Sequence, residues 1–371
     1  MMNLQFAQNF AARRRELGYT QEQIANYIGV SRAAVSKWEK GQSYPDITIL
    51  PKLATYFNWT IDQLLGYKPQ LTNEKIIELY KELAIRLHKE PFSDVELTIE
   101  ALIEEYYACF PFLLKMAQLY LNYAQSAQDP QQIAVRIETL CERVQQFSED
   151  FALVNEARII GAVSLLMQQR PDELLDKIGH SVQIQLGEDQ LISQAYGLLG
   201  QPKKAQEILQ ASLYQYLLST VSTCTSSLLL LVTDTRKFDQ TIERAEALIT
   251  NWQLDVLHPN SALSFYTLAA TGYMQMQQTE NAMTMLKRYV KVCEKLTFPL
   301  QLRGDDYFSL IDDWLATTMQ LATVTPRDTA SIKHDLITTI TQSPSFTPLH
   351  KNKDFQLLVT NLQHLIERND S

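Results

Sequence analysis

Apolar residues along this chain recur at intervals of three and four, the spacing of one helix face. Val and Ile nowhere alternate with polar residues over a long stretch, so the pattern predicts an all-α protein with little or no sheet. Near the N-terminus the apolar blocks are short. Phe6, Phe10 and Leu17 share a face of a helix over residues 4–17, which Gly18 stops. Thr20 and Gln23 form a capping-box pair ahead of Ile24, Ala25 and Ile28. Gly29 supplies the positive φ that a tight turn needs. Ser31 caps a helix over 31–40 that ends at Gly41. Val35 and Trp38 turn inward there, which points Arg32, Ala33, Ser36 and Lys37 to solvent. Pro45 is expected to open a fourth helix through Leu50, Leu53, Ala54 and Phe57. Asn58 or Thr60 starts a fifth, closing on Ile61, Leu64 and Leu65.

A short break over 66–71 follows, with Thr72 as the next N-cap. It precedes a helix over 72–89 with Ile76, Leu79, Tyr80, Leu83 and Leu87 inward. Ser93 and Glu96 read as a further capping box, opening a helix through Leu97, Leu102 and Tyr106 towards Phe110. From about residue 111 the pattern becomes helix, short loop, helix. In the unit over 192–209, Tyr196 fills the space between two helices, Gly200 makes the turn and Ala205 permits a close crossing. A second unit runs through Tyr266, Ala269, Ala270 and Tyr273, then Glu280, Ala282 and Leu286. A degenerate copy over 229–245 lies between them, around Phe238 and Thr241, and an earlier hairpin over 157–178 turns at Pro171. Ala205, Thr241 and Ala282 stand 36 and 41 residues apart, near the period of tetratricopeptide repeats, which the units resemble. Residues 345–358 read as a tail that seals the array. Two architectures fit this pattern, an α-solenoid of stacked hairpins and a non-repeating helical bundle.

Charge sharpens the division. The chain of 371 residues carries a net charge of −9. Residues 1–66 hold seven Arg and Lys against five acids, so the head is cationic and the remainder strongly acidic. An acidic body repels phosphate and leaves the head as the place for a nucleic acid. Four cysteines far apart, with no C-x-x-C pair, point away from disulfides and zinc and towards a reducing cytoplasm. The start lacks a signal-peptide run, and the longest apolar run, Leu228 to Val232, is too short for a bilayer. The six histidines have no metal spacing, and no P-loop, G-x-S-x-G or dinucleotide fingerprint is present. Asp305, Asp306, Asp312 and Asp313 read as a solvated helix face. The sequence therefore calls for no enzyme, metal or cofactor.

The head resembles the Cro/C1-repressor (XRE) type of helix-turn-helix domain, a lambda-repressor-like fold of five helices. The resemblance rests on Thr20-Gln21-Glu22, Ala25, Ile28-Gly29-Val30-Ser31, Val35-Ser36, Trp38-Glu39, Gly41 and Pro45, and it covers about residues 4–66. It implies that the helix over 31–40 enters the major groove of double-stranded DNA. Gln21 would clamp a phosphate, with Ser31, Arg32, Ala33, Ser36 and Lys37 on the reading helix. Arg32 suits guanine O6/N7 and Ala33 a thymine methyl. Arg14 and Glu39 match an ion pair common in that family, while Arg13 and Arg15 would be solvated. A head of this type followed by helical repeats resembles the peptide-responsive Rgg/PlcR class of regulators. That resemblance implies a homodimer on a palindromic operator and a short peptide bound to a TPR-like body. The expected organisation is 1–67 for the DNA-binding domain, 68–110 for a helical linker and 111–371 for sensing and dimerisation. Asn122, Asn155 and Asn260 are the asparagines placed to hold a peptide backbone, although each also fits an ordinary surface or capping role. The alternative is a DNA-tethered adaptor whose solenoid binds a partner protein and no small ligand.

Overall fold

The computed structural model describes residues 5–67, 70–182, 184, 187–318 and 329–368. Leu4, Lys68 and Pro69 lie outside the described residues. The fold is all-α, with no strand among the described residues. It forms two compact units, Met1–His180 and Ser181–Ser371. The stretch 111–371 is thus shared between them.

The first unit opens with five short helices: α1 (Phe6–Glu16), α2 (Gln21–Ile28), α3 (Arg32–Glu39), α4 (Leu50–Phe57) and α5 (Ile61–Leu65). Helices this short are marginal alone, so caps and a shared core hold them. Phe6, Phe10, Ile24, Val35, Leu53, Phe57 and Leu64 are fully buried. Phe10 sits at the centre, edge-on to Trp38 at 6.2 Å and tilted against Phe57 at 5.4 Å between ring centroids. The Gln5 N–H donates to the Leu65 carbonyl at 3.0 Å, closing α5 onto α1. Thr60, not Asn58, caps α5 through a full capping box with Gln63. Asn58 ends α4 in the left-handed region at φ 51°. Pro45 does not open α4. The chain turns through 46–49, with Asp46 accepting from the Thr48 N–H at 2.9 Å, and Pro51 supplies the proline in the first turn of α4. The Asx turn competes with an earlier helix start.

The same unit continues through α6 (Asn73–Lys89), α7 (Phe92–Glu105), α8 (Phe110–Tyr123), α9 (Pro130–Phe147), α10 (Phe151–Met167) and α11 (Pro171–Ile178). Right after the linker, the Gln70 side chain donates to the Ala108 carbonyl at 3.0 Å. The expected Ser93–Glu96 box is not formed. Helix α7 begins two residues earlier, with Pro91 in place of Ser93 at the N-cap, and has no side-chain cap. Phe92, Val95, Ile99 and Ile103 are its buried face, and Leu97 is exposed. Antiparallel contact of α9 and α10 runs from Gln131, on the Met167 carbonyl, to Cys141, whose Cβ is 3.3 Å from a Cβ built on Gly161. Arg136 donates twice to Glu100, and Tyr120 donates to the same carboxylate at 2.7 Å, pinning α7, α8 and α9 at one point.

The second unit holds α12 (Glu188–Leu198), α13 (Pro202–Leu228), α14 (Thr235–Asn251), α15 (Leu254–Leu257), α16 (Pro259–Gln275) and α17 (Thr279–Glu294). It ends with α18 (Asp312–Thr318), α19 (Thr329–Thr341) and α20 (Lys353–Arg368). Two details differ from the pattern read in the sequence. Helix α13 runs unbroken for 27 residues, so the degenerate copy starts not at 229 but at Thr235, after a turn. The unit over 192–209, clearest in sequence, is the least buried. Tyr196 is half-buried there, and Leu198 and Leu199 are 91% and 69% exposed. By contrast, α16 and α17 bury Tyr266, Ala269, Ala270, Tyr273, Ala282 and Leu286. The tail packs Phe346, Leu349, Phe355 and Leu358 into the same core, against α16 and α17.

Gly272 marks the tightest crossing. The Phe238 ring of α14 lies 2.5 Å from where a Cβ would stand, and Tyr273 meets that ring edge-on at 4.9 Å. Alanine there gains about 1 kcal/mol of helix propensity but forces a fully buried ring aside, at about 1–3 kcal/mol. Gly272→Ala is expected to destabilise the second unit by up to about 2 kcal/mol, the overpacking cost less the propensity gain. Chemical denaturation of the full chain, with hydrogen exchange locating the loss in α14 and α16, checks this.

Candidate nucleic-acid interface

The interface is built from α2, the turn after it and α3. Thr20 accepts from the Gln23 N–H at 3.2 Å, and Gln23 returns to the Thr20 N–H at 2.8 Å. Gly29 ends α2 at φ 86°, where a side chain would be strained. Ser31 then caps α3 by accepting from the Ala34 N–H at 3.2 Å. Ile24, Ala25 and Ile28 of α2 and Val35 and Trp38 of α3 are buried together. With those faces fixed, Ser31, Arg32, Ala33 and Lys37 are exposed on one side of α3, and Ser36 is half-buried at its edge.

Behind the exposed face lies a partly buried polar knot. Arg14 of α1 makes a two-pronged ion pair with Glu39 of α3, its Nη2 at 3.0 Å from Oε2. Arg14 Nη1 also donates to the Tyr19 carbonyl at 2.8 Å. Gln21 of α2 donates its amide to Glu39 Oε2 at 2.9 Å. One carboxylate thus gathers three helices. Burial alone would raise the Glu39 carboxyl, but hydrogen bonds from Arg14 and Gln21, with the charges of Arg14 and Arg15, hold it below the usual carboxylate range. The Glu39 hydrogen bond in turn raises the Arg14 guanidinium.

Arg14 and Glu39, which the family resemblance pairs, lie within ion-pair distance of each other. Gln21 was expected to face a phosphate; it sits half-buried, with one amide donor already on Glu39. Nothing in the spacing of residues 14, 21 and 39 announces that third contact. Arg13 also departs from expectation. It is not solvated: Nε and Nη2 donate to the Phe57 carbonyl at 3.3 and 3.1 Å, and its guanidinium stacks 5.0 Å from the Trp59 ring. It closes the C-terminus of α4. Only the aromatic Trp59, just beyond that helix end, hinted at it. Arg15 is exposed.

The three asparagines have separate settings. Asn122 donates to the Tyr80 hydroxyl at 2.9 Å, between α8 and α6. Asn155 is exposed on α10 and accepts from Arg158 at 3.1 Å. Asn260 is exposed in the first turn of α16. Of the acids over 305–313, Asp305 lies in a loop and accepts from the Tyr307 and Phe308 N–H groups, while Asp312 and Asp313 open α18, where Asp312 accepts from the Gly304 N–H. All four cysteines are free, and burial pushes Cys141 and Cys293 up to about 12. Among the described residues no helix is long and apolar enough to cross a membrane.

Two short helices around a glycine turn, the second presented outward and braced from behind, define a helix-turn-helix protein. The helix-turn-helix family HTH_3 matches residues 10–64. The HTH-type transcriptional activator BcrR of Enterococcus faecalis is 38% identical over 69 residues, 19% of this chain and 34% of that protein. The cryptic phage CTXphi transcriptional repressor RstR of Vibrio cholerae is 25% identical over 100 residues, 27% of this chain and 88% of that one. The SPbeta prophage-derived uncharacterized HTH-type transcriptional regulator YonR of Bacillus subtilis is 32% identical over 73 residues, 19% of this chain and 68% of that one. The chain belongs, through this N-terminal domain, to the helix-turn-helix family of transcriptional regulators. It spans about a third of the length of BcrR. No solved structure matches.

Removing one partner of a buried ion pair leaves the other uncompensated. Arg14→Ala is therefore expected to cost the head about 2–3 kcal/mol, lowering amide protection in α1–α3 roughly 30- to 150-fold in the full chain. Because the folded Glu39 carboxyl lies below its unfolded value, its stabilisation is complete above the ordinary carboxylate range. It is lost as pH falls through the depressed folded value. Wild-type protection of α1–α3, corrected for intrinsic exchange, should fall on acidification, and Glu39→Gln should flatten that dependence.

Proposed function

We propose that this chain is a homodimeric transcription regulator that reads a palindromic operator with α3 and responds to a ligand held by its helical body. Residues 1–67 are the DNA-reading domain, and helices beyond residue 110 supply dimerisation and sensing. The observation that carries this reading is the outward face of α3, with Arg32, Ala33 and Lys37 exposed while Glu39, on the same helix, is tied to α1 and α2. A rigid, capped helix with a cationic edge fits a major groove, and two such heads on adjacent turns give the affinity that one small head lacks. The likeness to an activator and a repressor supports DNA-dependent regulation without deciding its sign.

The helix pairs of both units support a repeat-built, TPR-like body. A short peptide is the favoured ligand, by resemblance to the Rgg/PlcR class, with Asn122, Asn155 and Asn260 as its amide contacts. A cytoplasmic location accompanies this reading. The adaptor reading keeps one supporting observation. Phe151, Ile159, Val163 and Leu166 lie exposed along α10, at 84%, 45%, 38% and 57%, and such a stripe also suits a partner protein. Native mass spectrometry of protein purified from its own host separates the two, as a retained peptide or a co-purified chain.

Arg32→Ala with Lys37→Ala is expected to abolish operator preference while leaving the helical circular-dichroism spectrum unchanged. Footprinting on genomic fragments at low ionic strength checks it. An unchanged protected sequence in the double variant would remove α3 as the reader.

A further inference from the structure

Arg32 and Glu22 are both exposed, yet they face each other across the helix-turn-helix. Glu22 Oε2, in the first turn of α2, approaches Arg32 Nε, in the first turn of α3, to 4.0 Å, with the side chains 63% and 69% exposed. At that distance the contact is electrostatic and not a hydrogen bond. An exposed pair of this kind adds little to folding. Its location is what matters. Glu22 is the acidic residue of the first turn of α2, next to Gln21 in the polar knot, so its backbone is held firmly against α3.

A carboxylate is a poor neighbour for a DNA backbone. Within one Debye length it repels phosphate and cancels the field of the cation beside it. Had Arg32 served as a phosphate clamp, Glu22 would weaken it. A base-reading arginine gains from such a partner. The carboxylate meets the guanidinium at Nε, which leaves the end-on pair Nη1 and Nη2 for the two acceptors of guanine, O6 and N7. Arginine side chains are costly to order, and a counter-charge carried on an anchored helix biases the rotamers that must be selected on reaching the groove.

We propose that Glu22 is a specificity-determining positioning residue, which aims Arg32 at a guanine and lowers the head's affinity for non-operator DNA. This rests on α3 being the DNA reader. Glu22 acts through Arg32 and touches no base itself. Two effects follow together from one substitution. Glu22→Gln removes a negative charge from the DNA-facing side, so binding to every duplex strengthens. It also frees Arg32, so discrimination at the base pair that Arg32 reads weakens.

The test uses the full chain and a random duplex library. Wild type is enriched on the library, and wild type, Glu22→Gln, Glu22→Asp and Arg32→Ala are then titrated on the selected site and on its single-base variants. Glu22→Gln is expected to bind unrelated DNA a few-fold more tightly and to lose about tenfold of discrimination at one base pair. That base pair is the one at which Arg32→Ala loses discrimination, and adding Glu22→Gln to Arg32→Ala costs nothing further there. Glu22→Asp, with its charge one methylene short, falls between. If Glu22→Gln tightens binding uniformly and keeps every base preference, Glu22 is only a surface charge and the proposal fails. Lost discrimination at a different base pair overturns it as well. No enrichment by wild type overturns the DNA-reading function itself, and this inference with it.

Discussion

The head depends on the grouping of Arg14, Gln21 and Glu39. Three helices of 11, 8 and 8 residues share one small core, in which the edge-on contact of Phe10 with Trp38 is an apolar link between α1 and α3. The Glu39 carboxylate supplies a polar one, receiving both α1 and α2. A hydrogen bond to a charged, partly buried acceptor is directional where hydrophobic contact is not. Directionality suits the proposed DNA-reading role, in which a small tilt of α3 would move Arg32 and Lys37 out of register with base edges.

Much of the head was legible in the sequence because its elements are announced locally. Thr20 with Gln23, Gly29 and Ser31 each commit a helix end by their own chemistry, and Ala25 and Trp38 agree with them in phase. The long-range polar contacts were less legible. Arg13, Arg14 and Arg15 are consecutive and look alike in sequence, yet one closes α4, one holds Glu39 and one meets solvent. Only the helical phase, multiplied by the position of Phe57 some forty residues later, separates them. Pro45 misled because a proline can begin a helix or a turn, and here Asp46 captured the backbone of Thr48 first.

The body was legible in class and less so in detail. Small residues at crossings marked real helix pairs, at Ala269 and Ala282 in the core and equally at Ala205, whose carbonyl accepts from Ser193 at 3.0 Å, but they did not say which pair would be buried, as the exposed surroundings of Tyr196 show. Periodicity reports that a face exists and not what covers it. The same limit hid Gly272, whose significance comes from Phe238 on a different helix.

Helix α13 gives the second unit a mechanical property. Its 27 residues extend for about 40 Å, and its buried residues, from Gln210 through Tyr214 and Val221 to Leu228, run along most of that length. Gln210, about a third of the way along, grips the 307–310 loop by the Tyr307 carbonyl and the Leu310 N–H, while Leu228 at the C-terminal end joins the core beside α14. A stiff rod fastened at two points about 27 Å apart acts as a spacer, and even a tilt of about five degrees at the loop would carry Leu228 by only about 2–3 Å. The helix therefore keeps the 307–310 loop and the α14 side of the core at a set separation.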